Sequence, residues 1–119
     1  MKIVKFEDLI AWQKSQDIAV CIYNEFNQLK DFGFKDQIRR SVVSISNNIA
    51  EGFERSSKAH FKRFLYIALS SCSEVKSILY LAERLNYINP KSRIYLMTQA
   101  TEISKILTGL IKSLNNTDH

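Results

Sequence analysis

Glu51 and Glu74 are the acidic side chains best placed for acid–base chemistry, because each lies beside an apolar helical stripe where partial burial is expected. A catalytic interpretation requires the two carboxylates to act as an acid/base pair. The interpretation that we favour is structural, because buried charges persist only when they are paired. In it, the two carboxylates pair with Arg39, Arg40 or Arg55 across helices or subunits. We therefore expect a protein that is not an enzyme.

Metal-binding chemistry has few ligands available in this sequence. Neither His60 nor His119 has a Glu three residues earlier, as a di-iron four-helix bundle requires. The two cysteines, Cys21 and Cys72, have no zinc-type spacing, and we expect both to be buried free thiols. The three glycines are isolated, so no glycine-rich phosphate loop is present. The sequence predicts no metal and no cofactor.

Basic residues offer another kind of chemistry, contact with phosphate groups. The chain has 17 Lys and Arg against 12 Asp and Glu, a net charge of +5, with the basic excess in its second half. The candidate nucleic-acid contacts are Arg39, Arg40, Arg55, Lys58, Lys62 and Arg63. Their alternative role is ordinary solvated surface charge.

No base-reading motif accompanies these clusters. The aromatic candidates for base stacking are Tyr66, Tyr80, Tyr87 and Tyr95, and they lie at helical positions where we expect partial burial. The sequence therefore predicts binding dominated by the phosphate backbone and tolerant of nucleic-acid sequence.

Two parallel stripes mark residues 37–55. The apolar stripe is Ile38, Val42, Ile45 and Ile49, at 4-3-4 spacing. The stripe beside it is polar and contains Gln37, Ser41, Ser44, Asn48, Glu51 and Arg55. This polar stripe is either a solvent-facing flank or a seam that fixes helices or subunits in register. The residues for which we predict an architectural or interface role are Trp12, Gln37, Ser44, Asn48, Glu51, Gly52 and Glu74.

Four helices are predicted to position these residues, over residues 7–29, 34–53, 57–86 and 90–114 of a single domain spanning residues 1–119. Three glycines and one proline are too few for a β-sandwich, so the fold class is all-α. Gly33 is predicted to stop the first helix in a left-handed conformation, Ser56 or Ser57 to cap the third, and Asn89-Pro90 to open the fourth. Short connections favour an antiparallel, up-down-up-down four-helix bundle with left-handed packing. Its second and fourth helices then start at one end, and the third starts at the other.

The compartment expected from the sequence is the cytoplasm. Glu7 and Asp8 interrupt the chain before an apolar signal segment can form. The longest apolar run, residues 64–69, is too short to span a bilayer.

The polar and apolar stripes also carry a family resemblance. The runs Gln-Ile-Arg-Arg at 37–40, Ser-Ile at 44–45 and Asn-Ile-Ala-Glu-Gly at 48–52 resemble the signature of the four-helix-bundle proteins encoded within intervening sequences of bacterial 23S rRNA genes. Residues that extend the resemblance are Phe6-Glu7-Asp8-Leu9, Trp12, Arg55, Phe61, Phe64-Leu65, Ile67-Ala68, Ser71 and Glu74. Ser46 and Ser70 depart from it, where the family often has Pro and Gly. Both changes are compatible with a helix.

The resemblance implies properties that the residues alone do not. Similar proteins assemble as homopentamers around a central channel. The family also resembles the accessory protein of diversity-generating retroelements, a basic pentamer that binds nucleic acid and partners with a reverse transcriptase.

The combined prediction is a non-enzymatic homo-oligomer that binds RNA or DNA through phosphate contacts, as an accessory factor to a mobile element or to RNA processing. The alternative is an oligomeric protein-interaction scaffold with no nucleic-acid role. Arg39 and Arg40 distinguish the two, because pairing of both with Glu51 and Glu74 would leave little free charge on the second helix.

Overall fold

The computed structural model of the chain describes residues 2–116. A short 3-10 helix (Phe6–Asp8) precedes four long helices, α1 (Ile10–Glu25), α2 (Phe32–Phe53), α3 (Lys58–Arg84) and α4 (Pro90–Asn116). Residues 2–116 contain no strand, and the all-α prediction is confirmed. The last residues of the predicted polar tail, 117–119, lie outside the described residues.

The first helix is shorter than the predicted span of residues 7–29. It begins at Ile10, after the 3-10 helix, and ends at Glu25. Two side chains of α2 donate to carbonyl groups near this end: Arg39 Nη2 to Tyr23 O at 3.3 Å, and Lys35 Nζ to Asn27 O at 3.4 Å. The bond to Tyr23 satisfies a carbonyl in the last turn of α1, which the end of a helix leaves without a partner. The chain leaves the helix here although apolar residues follow at Phe26 and Leu29.

Gly33 lies in the first turn of α2 and does not stop α1, contrary to the prediction. It does not have a positive φ. The Asp31 carboxylate accepts a hydrogen bond from the backbone N–H of Phe34 at 3.1 Å, so Asp31 is the N-cap and α2 begins one residue before Gly33.

Side-chain caps also begin α3 and α4. Ser57 Oγ accepts from the N–H of His60 at 3.2 Å, and Asn89 Oδ1 accepts from the N–H of Ser92 at 2.8 Å. Pro90 occupies the first helical position of α4, as predicted. α3 ends at Arg84, two residues before Asn86 adopts a left-handed φ of 62°.

Neighbouring helices run in opposite directions. Between α1 and α2, Gln16 bonds Ser46 and Tyr23 bonds Arg39, so rising residue numbers in one helix meet falling numbers in the other. The other neighbouring helices are joined by the pairs Ser44–Ser71, Glu83–Arg93, Lys62–Asn115 and Lys14–Glu102. Within residues 2–116, each helix packs on its sequence neighbours and α1 closes against α4. The result is an elongated bundle of 51 × 21 × 20 Å.

The core follows the predicted stripes closely. Ile38, Val42, Ile45 and Ile49 of α2 are all fully buried, as are Leu65, Ala68, Cys72, Val75, Leu79 and Ala82 of α3. Along α4 the buried stripe ends on Ile111, whereas Leu110 and Leu114, which a strict 4-3 repeat would bury, are only half-buried. A straight α-helix of 27 residues drifts from strict 3.5-residue spacing, which moves its last buried position by one residue.

The outer face of α3 is less polar than that of an ordinary surface helix. Among the described residues, α3 alone is long and apolar enough to meet a length-and-composition criterion for crossing a membrane. One side of it forms the core of the bundle. The other side exposes Tyr66, Ile67, Tyr80 and Leu81. The apolar residues of α3 therefore lie both on its core-facing side and on its outer side.

Both cysteines are free thiols, and they differ in burial. Cys72 is buried, and this burial raises the pKa of its thiol to about 11. Cys21 is only half-buried, contrary to the prediction, because it lies at the side of α1 that faces the α1–α4 cleft.

Candidate nucleic-acid interface

The polar stripe of α2 faces α3 and binds it within one chain. Ser44 Oγ lies 2.9 Å from Ser71 Oγ, which bridges the two helices. Asn48 Nδ2 donates to both the carbonyl and the hydroxyl oxygen of Ser44, at 2.8 and 2.9 Å. These bonds orient the hydroxyl that makes the bridge. Ser44 and Asn48 therefore hold α2 and α3 in register.

Gly52 lies at the closest approach of α2 and α3. A Cβ at this position would lie 2.6 Å from Phe64 Cβ and 3.2 Å from Phe61 Cδ1. The absence of a side chain at Gly52 therefore permits the close packing of α2 on α3.

The two glutamates are not buried, contrary to the expectation. Glu51 is exposed and forms a 2.7 Å ion pair with Arg55, which lies four residues later and just beyond the end of α2. Glu74 is exposed on α3 and, among the described residues, forms no ion pair. An acid/base pair has no support in this arrangement.

An open groove separates the outer edges of α2 and α3. Gln37, Arg40 and Glu74 lie along it, and the remaining lining residues are Gly33, Asp36, Ser41 and Ser44. Gln37 is exposed, and its carbonyl accepts from the Ser41 hydroxyl at 2.9 Å. Trp12 lies away from this groove, half-buried against the edge of Phe6 with ring centroids 5.4 Å apart.

Arg39 and Arg40 point in different directions. The Arg39 guanidinium lies 4.3 Å from the centroid of the Tyr23 ring and donates to the Tyr23 carbonyl, so it packs on α1. The Arg40 side chain is 83% exposed, with Asp36 at 4.0 Å. Neither arginine pairs with Glu51 or Glu74 in the described part of the chain.

Four basic residues, Arg55, Lys58, Lys62 and Arg63, gather where α2 ends and α3 begins; we call them the basic corner. Arg55 pairs with Glu51 and also lies 5.0 Å from the centroid of the Phe64 ring. Lys62 Nζ donates to the neutral amide oxygen of Asn115 at 2.7 Å and forms no ion pair among residues 2–116. Arg63 is exposed and forms no ion pair within residues 2–116.

The structure thus divides the six candidate contacts into two groups. Arg39 and Arg40 lie in the first half of α2, and the basic corner lies beyond its other end. Arg40 lies thirteen residues before Phe53, the last residue of α2, a rise of roughly 20 Å, and Arg55 lies two residues beyond that end. Only the basic corner brings several candidates together.

The predicted burial of the tyrosines does not occur at three of the four positions. Tyr66, Tyr80 and Tyr95 are 55%, 56% and 58% exposed, and only Tyr87 is half-buried. The side chains of these three tyrosines point away from the core. Sequence periodicity alone placed them at the edge of the apolar face, where partial burial is expected. Exposed aromatic rings are therefore part of the available surface.

At the opposite end of the bundle, one hydrogen bond ties the start of α2 to the end of α3. The Tyr87 hydroxyl donates to Asp31 Oδ2 at 2.7 Å. This bond and the one from the Phe34 N–H lower the pKa of the Asp31 carboxyl. The same contact raises the pKa of the Tyr87 hydroxyl.

We expect the stabilising effect of the Tyr87–Asp31 bond to decrease in acid. Because the pKa of Asp31 is lower in the folded than in the unfolded chain, this contribution is complete above the unfolded-state value of about 3.9 and is lost as the pH falls through the folded-state value. Urea unfolding of wild type and Tyr87→Phe at pH 7 and pH 3 should show a smaller difference at pH 3. Tyr66→Phe is the control; an undiminished Tyr87→Phe difference at pH 3 would contradict the expectation.

The described residues also bear on the metal question. No group of three or more His, Cys, Asp or Glu side chains in residues 2–116 is arranged to hold a metal ion. His60 lies in the first turn of α3, where its Nδ1 is 2.9 Å from the hydroxyl of the capping Ser57. The other histidine, His119, lies outside the described residues.

Comparison with known proteins adds a family and a structural relative. The family model for the 23S rRNA-intervening sequence protein matches residues 7–109. A 1.70 Å crystal structure from Bacteroides thetaiotaomicron VPI-5482, described as a protein of unknown function from the S23 ribosomal protein family, is similar at 36% identity with a TM-score of 0.82. The similarity covers 87% of this chain and 99% of that one. No curated protein gives a significant match.

Proposed function

The chain belongs to the 23S rRNA-intervening sequence protein family, and from this premise we propose that it is a non-enzymatic, homo-oligomeric protein that binds RNA or DNA through phosphate contacts. Its role would be that of a cytoplasmic accessory factor to RNA processing or to a mobile element, and family resemblance suggests a reverse transcriptase as its protein partner.

The basic corner is the observation that carries this proposal. From residue 51 to residue 63, four Lys and Arg side chains stand against two carboxylates, Glu51 and Glu54, for a net charge of +2. Arg63 is exposed, and in the described part of the chain Lys62 bonds a neutral amide and no carboxylate. Phosphate contacts need cations of this kind, and the backbone amides at the start of α3 favour an anion at the same place.

The position of Arg40 supports the proposal over a purely structural use of the basic residues. It is largely exposed and lies 4.0 Å from Asp36, a surface contact of small energetic value. Its charge is therefore available, in contrast to that of Arg39, which packs on Tyr23.

Self-association is the second part of the proposal. Family resemblance gives the expected copy number, five. The end of the apolar outer face of α3 that carries Tyr80 and Leu81 lies away from the basic corner, and it is a surface that a second copy would cover. Repetition of the basic corner in each copy would strengthen binding to a long polyanion through multivalency.

A salt titration tests the phosphate contacts. We expect the purified protein to bind structured RNA and duplex DNA with an affinity that falls steeply as salt rises. Lys58→Glu/Lys62→Glu/Arg63→Glu should weaken binding at least tenfold and lower the salt slope by about 3, since each phosphate contact contributes roughly 0.9.

The matched control reverses three exposed lysines elsewhere, Lys30→Glu/Lys91→Glu/Lys105→Glu, with the same change in net charge. A basic corner that binds phosphate predicts a larger loss for the first variant at equal oligomeric mass. Equal losses would attribute binding to net charge alone. No binding by the wild type even at low salt would refute the nucleic-acid role.

A protein-interaction scaffold is the second candidate, and the outer face of α3 favours it. Ile67 and Leu81 expose 42% and 47% of their surface there, on a helix with few charges between them. Partner proteins cover surfaces of this kind. If the protein bound no nucleic acid, the scaffold would be the better supported of the two functions.

A further inference from the structure

We propose that Tyr66 is a stacking platform for an unpaired base, so that the surface around Arg63 takes single-stranded segments of nucleic acid in preference to duplex. This inference deepens the proposed function and rests on it, because a stacked base is useful only where the neighbouring phosphates are bound.

Among the described residues, Tyr66 is the exposed tyrosine that combines basic neighbours with a ring that no aromatic or cationic side chain covers. The face of Tyr80 is covered by the Arg93 guanidinium, 5.1 Å from the ring centroid, and Arg93 is held there by a 2.6 Å ion pair with Glu83. The Tyr23 ring is covered by Arg39 in the same way. Tyr66 forms no aromatic or cation–π contact in the described part of the chain.

Tyr95 has a less favourable setting. It lines the cleft between α1 and α4, and Glu25 and Lys91, which line the same cleft, have opposite charges. A phosphate near this ring would meet opposed charges, which cancel much of the attraction. Tyr95 is therefore as exposed as Tyr66 without the same electrostatic surroundings.

The helix surface around Tyr66 has two basic residues and two residues with short side chains. A shallow depression along α3 is lined by Lys62, Arg63, Tyr66 and Ile67, together with Ala59 and Ser70. Lys62 and Arg63 precede Tyr66 by four and three residues, so both are its neighbours on the helix surface. Ala59 and Ser70 have short side chains, which leave the ring accessible along the helix axis.

Base stacking on such a ring favours single strands for a physical reason. Every base has a flat π face, and stacking on an aromatic side chain contributes about 1–3 kcal/mol per base with little sequence preference. In a duplex those faces are already stacked, and exposing one costs a few kcal/mol. A convex helix surface with one exposed ring offers no pocket to compensate for that cost.

The experiment compares a short unstructured oligonucleotide with a duplex of equal charge, each binding to wild type, Tyr66→Ala and Tyr66→Phe. We expect Tyr66→Ala to weaken single-strand binding about 5- to 100-fold and to leave duplex binding unchanged. Tyr66→Phe keeps the ring and should bind like wild type. A 2-aminopurine base in the oligonucleotide reports stacking directly, and its fluorescence should be quenched by wild type and Tyr66→Phe only.

Tyr95→Ala is the matched control, because it removes an equally exposed ring from a different helix. Unchanged single-strand binding by Tyr66→Ala, or equal losses for single strand and duplex, would overturn the stacking proposal while the phosphate contacts stand. So would a wild type that binds only duplex. A wild type that binds neither nucleic acid would overturn the proposed function and, with it, the stacking site.

Discussion

We expect Gly52→Ala to lower the free energy of unfolding by about 1–3 kcal/mol, the cost typical of an overpacked site. The added Cβ would lie 2.6 Å from Phe64 Cβ, an atom fixed by the backbone of α3, so a rotamer change cannot relieve the contact. The helices α2 and α3 must move apart, which also strains the Ser44–Ser71 bridge. Urea unfolding at a fixed protein concentration measures the effect.

The same substitution at Gly109 provides the control. Gly109 lies on the exposed side of α4, and a Cβ there would meet no atom within 4 Å. Alanine is a better helix former than glycine, so Gly109→Ala should raise the free energy of unfolding by about 0.5–1 kcal/mol. Equal effects of the two substitutions would show that helix propensity, and not the α2–α3 approach, determines the role of Gly52.

The helices could be predicted from the sequence because their apolar residues repeat and their caps are local. The 4-3 stripe of α2 required no knowledge of its neighbours, and Asn89-Pro90 identified the start of α4. The end of α1 depended on a contact between distant residues: Arg39 and Lys35 donate to carbonyls of a segment that they approach only in the folded bundle. Periodicity contains no information about such bonds, so the predicted helix was too long.

The candidate site was predictable to a similar extent. The sequence located the basic corner, because its residues are close along the chain. It placed Arg39 with Arg40, although adjacent residues on a helix point about 100° apart, which sends one to Tyr23 and the other to solvent. The exposure of Tyr66 depends in the same way on the angle between its stripe and the core, which only the packed bundle determines.

We expect Phe26→Ala to be the most destabilising of the single substitutions considered, with a loss of about 3–5 kcal/mol in the free energy of unfolding. Phe26 follows the last residue of α1 and is only 1% exposed. Its ring centroid is 6.1 Å from that of Phe34, which in turn lies 5.0 Å from that of Tyr87. Truncation therefore leaves a cavity where α1, α2 and the segment after α3 meet.

Phe32→Ala is the matched control, because it removes the same ring atoms at the same end of the bundle. Phe32 is 67% exposed, and its recorded contact is with the Lys35 ammonium group, 5.1 Å from the ring centroid. A change within about 0.5 kcal/mol is expected there. If both substitutions had small effects, the aromatic contacts at this end would add little to stability. A large loss confined to Phe26→Ala would instead show that the sharp turn after α1, which the apolar pattern did not predict, is held by a buried ring as well as by hydrogen bonds from α2.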